Sequence, residues 1–316
     1  MRKYYVFTLY YIGLFGMTLS LLSGCNQTKP SGEKDQDSTT VSGEKISRVF
    51  DLQGHRGARG LRPENTISAF IEGVNQGVRT IELDVVISKD SQVVVSHEPF
   101  FNHSICLDSS GKAIAEADEK KWNIFEMTVA DIRKFDCGSI GNPRFPEQKK
   151  RKDKKPTLTE AIQAVEAYAK NRGIRSLYYN IETKSRPEWD NKYHPTPEVF
   201  VKLLYNTLGK LNVLHRTFIQ SFDVRTLQAF RKLNPQTKLV LLVENKDGFD
   251  ANLQKLGFDP AVYSPYYKLV TPELIAKAHA KKIQVIPWTV NKVDEAEKLK
   301  KMGIDGIITD YPGKIK

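Results

Sequence analysis

Thr80-Ile81-Glu82-Leu83-Asp84-Val85-Val86-Ile87 and Val93-Val94-Val95-Ser96 are two β-branched runs joined only by Ser88-Lys89-Asp90-Ser91-Gln92. A parallel crossover needs a dozen or more residues, so this short link makes the two runs an antiparallel hairpin. Outward from the hairpin, similar runs occupy 49–53, 177–183, 217–221, 239–243, 261–264, 283–289 and 306–309, which brings the total to nine. Amphipathic stretches separate them, the pattern of repeated βα units around a parallel sheet. Ile67, Phe70, Ile71 and Val74 keep helical spacing, and Gly77 stands where that helix would stop. Val199, Phe200, Leu203, Leu204 and Leu211 mark another helix; Val293, Ala296, Leu299 and Met302 mark the last, closed by Gly303. With the second hairpin arm taken as an extension at the mouth, eight parallel strands remain. The expected fold is an α/β, TIM-type (β/α)8 barrel over 49–316.

Residues 99–156 lack clear periodicity and hold Gly, Pro, two cysteines and the run Lys149-Lys150-Arg151-Lys152-Asp153-Lys154-Lys155. They read as an insertion above the mouth rather than as part of the core. The basic run is either a solvated loop or a patch for anionic headgroups or polymers. No helix-turn-helix, zinc or aromatic stacking pattern accompanies the charge, so no nucleic-acid partner is expected.

The N-terminus differs from the rest. Arg2 and Lys3 precede an apolar run over 4–22, which ends in Leu22-Ser23-Gly24-Cys25. Basic n-region, apolar h-region and small residues before a cleavage point describe a secretory signal over residues 1–24. The ending resembles the bacterial lipobox, which implies lipidation of Cys25 and a protein exported and lipid-anchored to the cell envelope. Residues 25–48 are too polar to bury a core, Val41 being the sole aliphatic residue among 26–45, and read as a flexible tether. Loss of Arg2 and Lys3 lowers the formal charge from +11 to +9, so the mature chain stays basic. Cys106 and Cys137 then remain, an even number where oxidation is permitted; they form a disulfide or serve as two small buried hydrophobes.

Gly54-His55-Arg56-Gly57 follows the first strand and leads through Pro63-Glu64-Asn65-Thr66 into a helix. In a barrel the C-terminal strand ends form the active-site face, so His55 and Arg56 belong at the mouth. Imidazole exchanges protons near neutral pH, and guanidinium holds phosphate oxygens in pairs. Asn65 suits an N-cap. Strand alternation places Glu82 and Asp84 on one face, where buried carboxylates need partners or a metal, and hard oxygens suit Ca²⁺ or Mg²⁺. Asn180-Ile181-Glu182-Thr183-Lys184 projects a third carboxylate and a cation by the same alternation. His97 ends the second hairpin arm. Phosphodiester cleavage needs one group to take a proton and another to give one, roles that two histidines beside a carboxylate cluster can fill.

His55-Arg56-Gly57, Pro63 to Thr66, Glu82-Leu83-Asp84-Val85, His97-Glu98, Asn180 to Lys184, Pro287-Trp288-Thr289-Val290-Asn291 and Gly306-Ile307-Ile308-Thr309-Asp310-Tyr311-Pro312 stand in this order. Together, over 49–312, they resemble the glycerophosphodiester phosphodiesterases. The resemblance implies one divalent cation, Ca²⁺ or Mg²⁺, held by Glu82, Asp84 and Glu182. It implies that His55 accepts a proton and His97 donates one, that Arg56 and Lys184 hold the phosphate, and that Trp288 lines the pocket. Trp288 could equally be a core aromatic. Glu98 stands where Asp is also common, and Thr183 where an aliphatic residue is frequent. The implied reaction is hydrolysis of a glycerophosphodiester to glycerol 3-phosphate and an alcohol. A non-catalytic surface-binding lipoprotein on the same barrel, or a related phospholipase acting on choline lipids, are the alternatives.

Overall fold

The computed structural model describes residues 49–174 and 177–315. The signal segment 1–24, the lipidation candidate Cys25 and the tether 25–48 lie outside the described residues. In chain order the elements are β1 (Asp51–Gly54), α1 (Ile67–Asn75), β2 (Thr80–Ile87), β3 (Val93–Val95), α2 (Val129–Ile132), α3 (Leu158–Asn171), β4 (Tyr178–Thr183), α4 (Pro197–Lys210) and β5 (Thr217–Ser221). They continue as α5 (Val224–Leu233), β6 (Lys238–Val243), α6 (Phe249–Leu256), β7 (Val262–Pro265), α7 (Pro272–Ala280), β8 (Gln284–Val285), α8 (Val293–Met302) and β9 (Gly306–Thr309).

The sheet runs β8-β7-β6-β5-β4-β2-β1-β9, and its named neighbours pair in parallel. Closure between β8 and β9 comes from Asp305 N donating to Val285 O at 2.9 Å and Ile308 N donating to Pro287 O at 3.0 Å. β8 is shorter than the run 283–289 suggested, because Pro287 has no N–H to give to a ladder. β3 pairs antiparallel with the end of β2, Val85 opposite Val95, as the five-residue link requires. The result is the expected (β/α)8-like barrel with a hairpin at its rim.

Alternation sorts each strand into two faces. Ile81, Leu83, Val85 and Ile87 of β2 point outward and join the large core that includes Phe70 and Val74 of α1 and Leu158, Ile162 and Val165 of α3. Local sequence starts these helices: the Thr66 side chain accepts from Ala69 N to cap α1, and Thr157 and Glu160 form a capping box on α3. The inward faces divide the lumen in two. Around β6 to β9 it is hydrocarbon, with Val240, Val262, Ile286 and Ile308 in contact. Around β1, β2, β4 and β5 it is polar, with Gln53, Glu82, Asp84, Asn180, Glu182 and Gln220 all buried.

The insertion is more than a surface loop. Phe101, Ile105, Ile114, Ile124, Ile132 and Phe135 pack with Val86 and Val94 into a separate hydrophobic cluster, and Phe101 stacks on Phe135 at 3.8 Å between centroids. Cys106 and Cys137 are joined by a disulfide within it, 31 residues apart in sequence. These contacts come from short 3-10 turns and isolated bridges, which leave no period for a sequence reading to find. The basic run is also less uniform than its sequence suggests. Lys149, Lys150, Arg151, Lys152 and Lys154 are exposed, whereas Lys155 is buried and donates from Nζ to Ser96 Oγ at 2.7 Å.

Candidate active site

The C-terminal ends of the strands surround a cavity of about 500 Å³ lined, among others, by His55, Arg56, Glu82, His97, Glu182, Lys184 and Trp288. The parallel register of β2 and β4 sets Asp84 beside Glu182, and Glu82 lies two residues back on the same face. Ligand oxygens of Glu82, Asp84 and Glu182 lie within 4.8 Å of one another, and the residues are 1%, 1% and 7% exposed.

Three carboxyls so close and so buried cannot all hold charge comfortably. Burial, then the charge of Asp84, push Glu82 well above the usual carboxylate range. Burial lifts Glu182 to about 7, against the pull of Lys184. Burial would raise Asp84 too, but His97, Arg56 and Lys184 outweigh it and hold its carboxyl low. An all-oxygen donor set in which two members tend to keep protons fits a hard divalent cation, which would replace those protons with its own charge.

Each ligand is braced by side chains from elsewhere in the chain. Gln220 Nε2 donates to Glu82 Oε1 at 2.7 Å, and Arg56 N donates to Glu82 Oε2 at 2.7 Å. Asn65 is not the helix cap its sequence position suggested; Thr66 takes that role. Asn65 adopts a left-handed conformation at φ 55°, donates from Nδ2 to Asp84 Oδ2 at 2.8 Å, and accepts from Asp84 N at 3.2 Å. Short polar side chains tolerate that backbone region better than most. Lys184 Nζ donates to Glu182 Oε1 at 2.7 Å and lies 3.8 Å from Asp84 Oδ1. Arg56 Nη1 donates to Glu64 Oε1 at 2.5 Å, and its Nε is 3.3 Å from Asp84 Oδ2.

Both histidines line the cavity, and each leans on a carboxylate that spacing alone did not single out. His55 Nδ1 meets Asp310 Oδ1 at 2.7 Å; His97 Nδ1 meets Glu98 Oε1 at 2.6 Å. Burial would raise both carboxyls, but His55 and Arg59 hold Asp310 low, and His97 and Arg56 hold Glu98 low. An ionised carboxylate only accepts, so each Nδ1 carries the hydrogen and each Nε2 is left for proton exchange. Burial, then Arg59, lower His55 to about 4 against the opposing pull of Asp310, so its imidazole is neutral at pH 7. His97 is lowered by burial, Arg56 and Lys184. Asp310 also accepts from Arg59 Nε at 2.6 Å and from Asn291 Nδ2 at 2.7 Å. The signal available in sequence was a carboxylate one residue past a strand, in Thr309-Asp310-Tyr311-Pro312.

Another part of the wall is aromatic. Trp288 lines the cavity and also touches the hydrocarbon half of the lumen. Its Nε1 donates to Ser264 O at 2.9 Å, and Phe222 and Tyr266 pack around it at 5.4 and 5.8 Å between centroids.

Residues 55–314 match the Glycerophosphoryl diester phosphodiesterase family. The chain belongs to that family. A glycerophosphodiester phosphodiesterase of Bacillus subtilis (strain 168) is 29% identical over 309 residues, 95% of this chain and 94% of that protein. The crystal structure of a Silicibacter pomeroyi DSS-3 protein superposes with TM-score 0.75 at 31% identity, covering 85% of this chain and 92% of that one. An Oleispira antarctica phosphodiesterase, solved in complex with the product sn-glycerol-3-phosphate, shares the fold with TM-score 0.66 at 22% identity, over 84% and 95% of the two chains. As a member of the glycerophosphoryl diester phosphodiesterase family, the chain is an enzyme of phosphodiester hydrolysis.

Proposed function

We propose that the chain hydrolyses soluble glycerophosphodiesters to glycerol 3-phosphate and an alcohol, using one divalent cation, Ca²⁺ or Mg²⁺, and two histidines. The observation that carries this reading is the convergence of Glu82, Asp84 and Glu182 in the cavity that His55 and His97 also line. A cation on those carboxylates would stabilise negative charge as it builds on the phosphoryl oxygens.

The side chains divide the remaining work. Arg56 and Lys184 orient the phosphate, and the Trp288 wall receives the apolar edge of the substrate. His55 Nε2 takes the proton of the attacking oxygen, while Asp310 holds the ring and steadies its positive charge. A new P–O bond forms from that oxygen, and the bond to the alcohol breaks. His97 Nε2 delivers a proton to the departing oxygen. A bound phosphate adds negative charge beside Arg56 and Lys184 and so raises His97, favouring the protonated form that this step needs.

The test is release of glycerol 3-phosphate from glycerophosphocholine by purified protein. EDTA is expected to abolish it and added Ca²⁺ or Mg²⁺ to restore it, and His55→Ala and His97→Ala are expected to lower kcat by roughly 10²- to 10⁴-fold with the fold intact. Undiminished turnover in His55→Ala would refute the assignment.

The same proposal includes export. Residues 1–24 act as a signal, Cys25 carries the lipid, 25–48 tether the barrel, and 49–316 work at the outer face of the membrane. A disulfide between Cys106 and Cys137 suits such an oxidising place. Metabolic labelling with a radioactive fatty acid tests it; label in the wild type that persists in Cys25→Ala would remove the anchor site.

A further inference from the structure

Four cationic side chains line the cavity, Arg56, Arg59, Lys184 and Arg144. Three are committed to carboxylates: Arg56 to Glu64 and Asp84, Arg59 to Asp310, and Lys184 to Glu182. Arg144 is different. It comes from the insertion, is exposed, and has no carboxylate within 4.0 Å among the described residues. Its backbone is nonetheless anchored beside the cavity. Its backbone N donates to Asn142 Oδ1 at 3.0 Å, and its guanidinium lies 5.8 Å from the centre of the Phe145 ring. Phe145 in turn lies under Arg59 at 4.9 Å, and Gln148 Nε2 ties the same segment to Arg59 O at 2.7 Å. This segment of the insertion therefore holds an unneutralised guanidinium against the loop that carries His55 and Arg56. Further along the same segment, Lys149, Lys150 and Lys152 are exposed and without carboxylate partners among the described residues.

We propose that Arg144 selects substrates whose leaving alcohol carries a second phosphate. The inference rests on the hydrolysis proposed above, with the scissile phosphate held by Arg56 and Lys184 and the alcohol extending toward the rim. A guanidinium presents a planar pair of N–H donors that matches phosphate oxygens, which a neutral or cationic headgroup cannot use. Exposure weakens the contact and makes it salt-sensitive, so its effect belongs in discrimination rather than in turnover.

The experiment compares glycerophosphoglycerol with glycerophosphoglycerol phosphate, which differ only in the terminal phosphate. In wild-type protein kcat/KM is expected to favour the doubly charged substrate by about tenfold at low ionic strength, and the preference to shrink in high salt. Arg144→Gln should lower the ratio of the two kcat/KM values toward one, and Arg144→Lys should restore part of it. A glycerol phosphate trimer, in which the second phosphate is an internal diester, separates a polymeric source from a phosphorylated small alcohol; a preference for either form that Arg144→Gln removes supports the inference. An unchanged ratio in Arg144→Gln, with both substrates turned over, overturns it and leaves the hydrolytic reading standing. Failure of the wild type to cleave any of them would instead overturn the hydrolytic reading.

Discussion

Replacing Asp310 by Asn keeps the shape of the side chain and removes the charge that now receives bonds from His55 Nδ1 at 2.7 Å, Arg59 Nε at 2.6 Å and Asn291 Nδ2 at 2.7 Å. The bond to His55 gains strength as the imidazole takes a proton, because the acceptor is ionised and the donor becomes a cation. Hydrogen bonds to charged groups contribute roughly 1.5–3 kcal/mol, which corresponds to a fall in kcat of about 10- to 100-fold. The loss is larger if the Asn amide turns its N–H toward the ring, since Nδ1 then becomes the acceptor and Nε2 holds the hydrogen it should be free to receive. Asp310 pulls His55 upward from the value set by burial and Arg59, so its removal lowers His55 further and cannot move an acid limb toward neutrality. The assay is kcat for glycerol 3-phosphate release at saturating cation, with thermal melting in parallel because Arg59 also loses its counter-charge. An Asp310→Asn protein that melts like wild type and keeps kcat within about twofold would refute the orienting role.

Asn65→Ala removes both the bond to Asp84 Oδ2 and the acceptor for Asp84 N, and is expected to weaken divalent-cation binding by about 10- to 100-fold in titration calorimetry. His55 titrates near 4 in the folded chain and near 6.5 when unfolded, so the native state resists its protonation: the associated stability is complete above pH 6.5 and falls as pH drops toward 4, by about 3 kcal/mol. Urea unfolding of wild type and His55→Gln at pH 7 and 4.5 isolates that part, and parallel pH dependences in the two proteins would contradict it. The Cys106→Ser, Cys137→Ser double variant opens a loop 31 residues long and should lose about 2–4 kcal/mol in the same measurement. Ile132→Ala in the insertion should cost about 2–5 kcal/mol, since Ile132 is fully buried in the separate cluster; a surface loop would show almost none of it.

The barrel was legible because its evidence is local. A β-branched run reports a strand by itself, and a five-residue link reports a hairpin by itself. Glu82 and Asp84 could be placed together from alternation within one strand, and the register of β2 against β4 brought Glu182 to them. The supporting contacts were not legible, because they join residues far apart in the chain. His55 and Asp310 are 255 positions apart, and Glu82 and Gln220 are 138 apart. Asn65 misled for a physical reason: the side chain that suits a helix cap also suits a left-handed turn, and only the position of Asp84 decides between them. Lys155 misled because a run of like charges reads as solvated, while its own ammonium turns inward to Ser96.

The split lumen of the barrel separates two kinds of evolutionary freedom. Variants confined to the hydrocarbon arc around Val240, Val262, Ile286 and Ile308 alter the packing behind Trp288 without disturbing ionic contacts, so a library drawn there should leave the chemistry in place while reshaping that wall. The same number of changes in the arc of Gln53, Asn180 and Gln220 would break a chain of interlocked amides that reaches Glu82, and should yield mostly inert proteins.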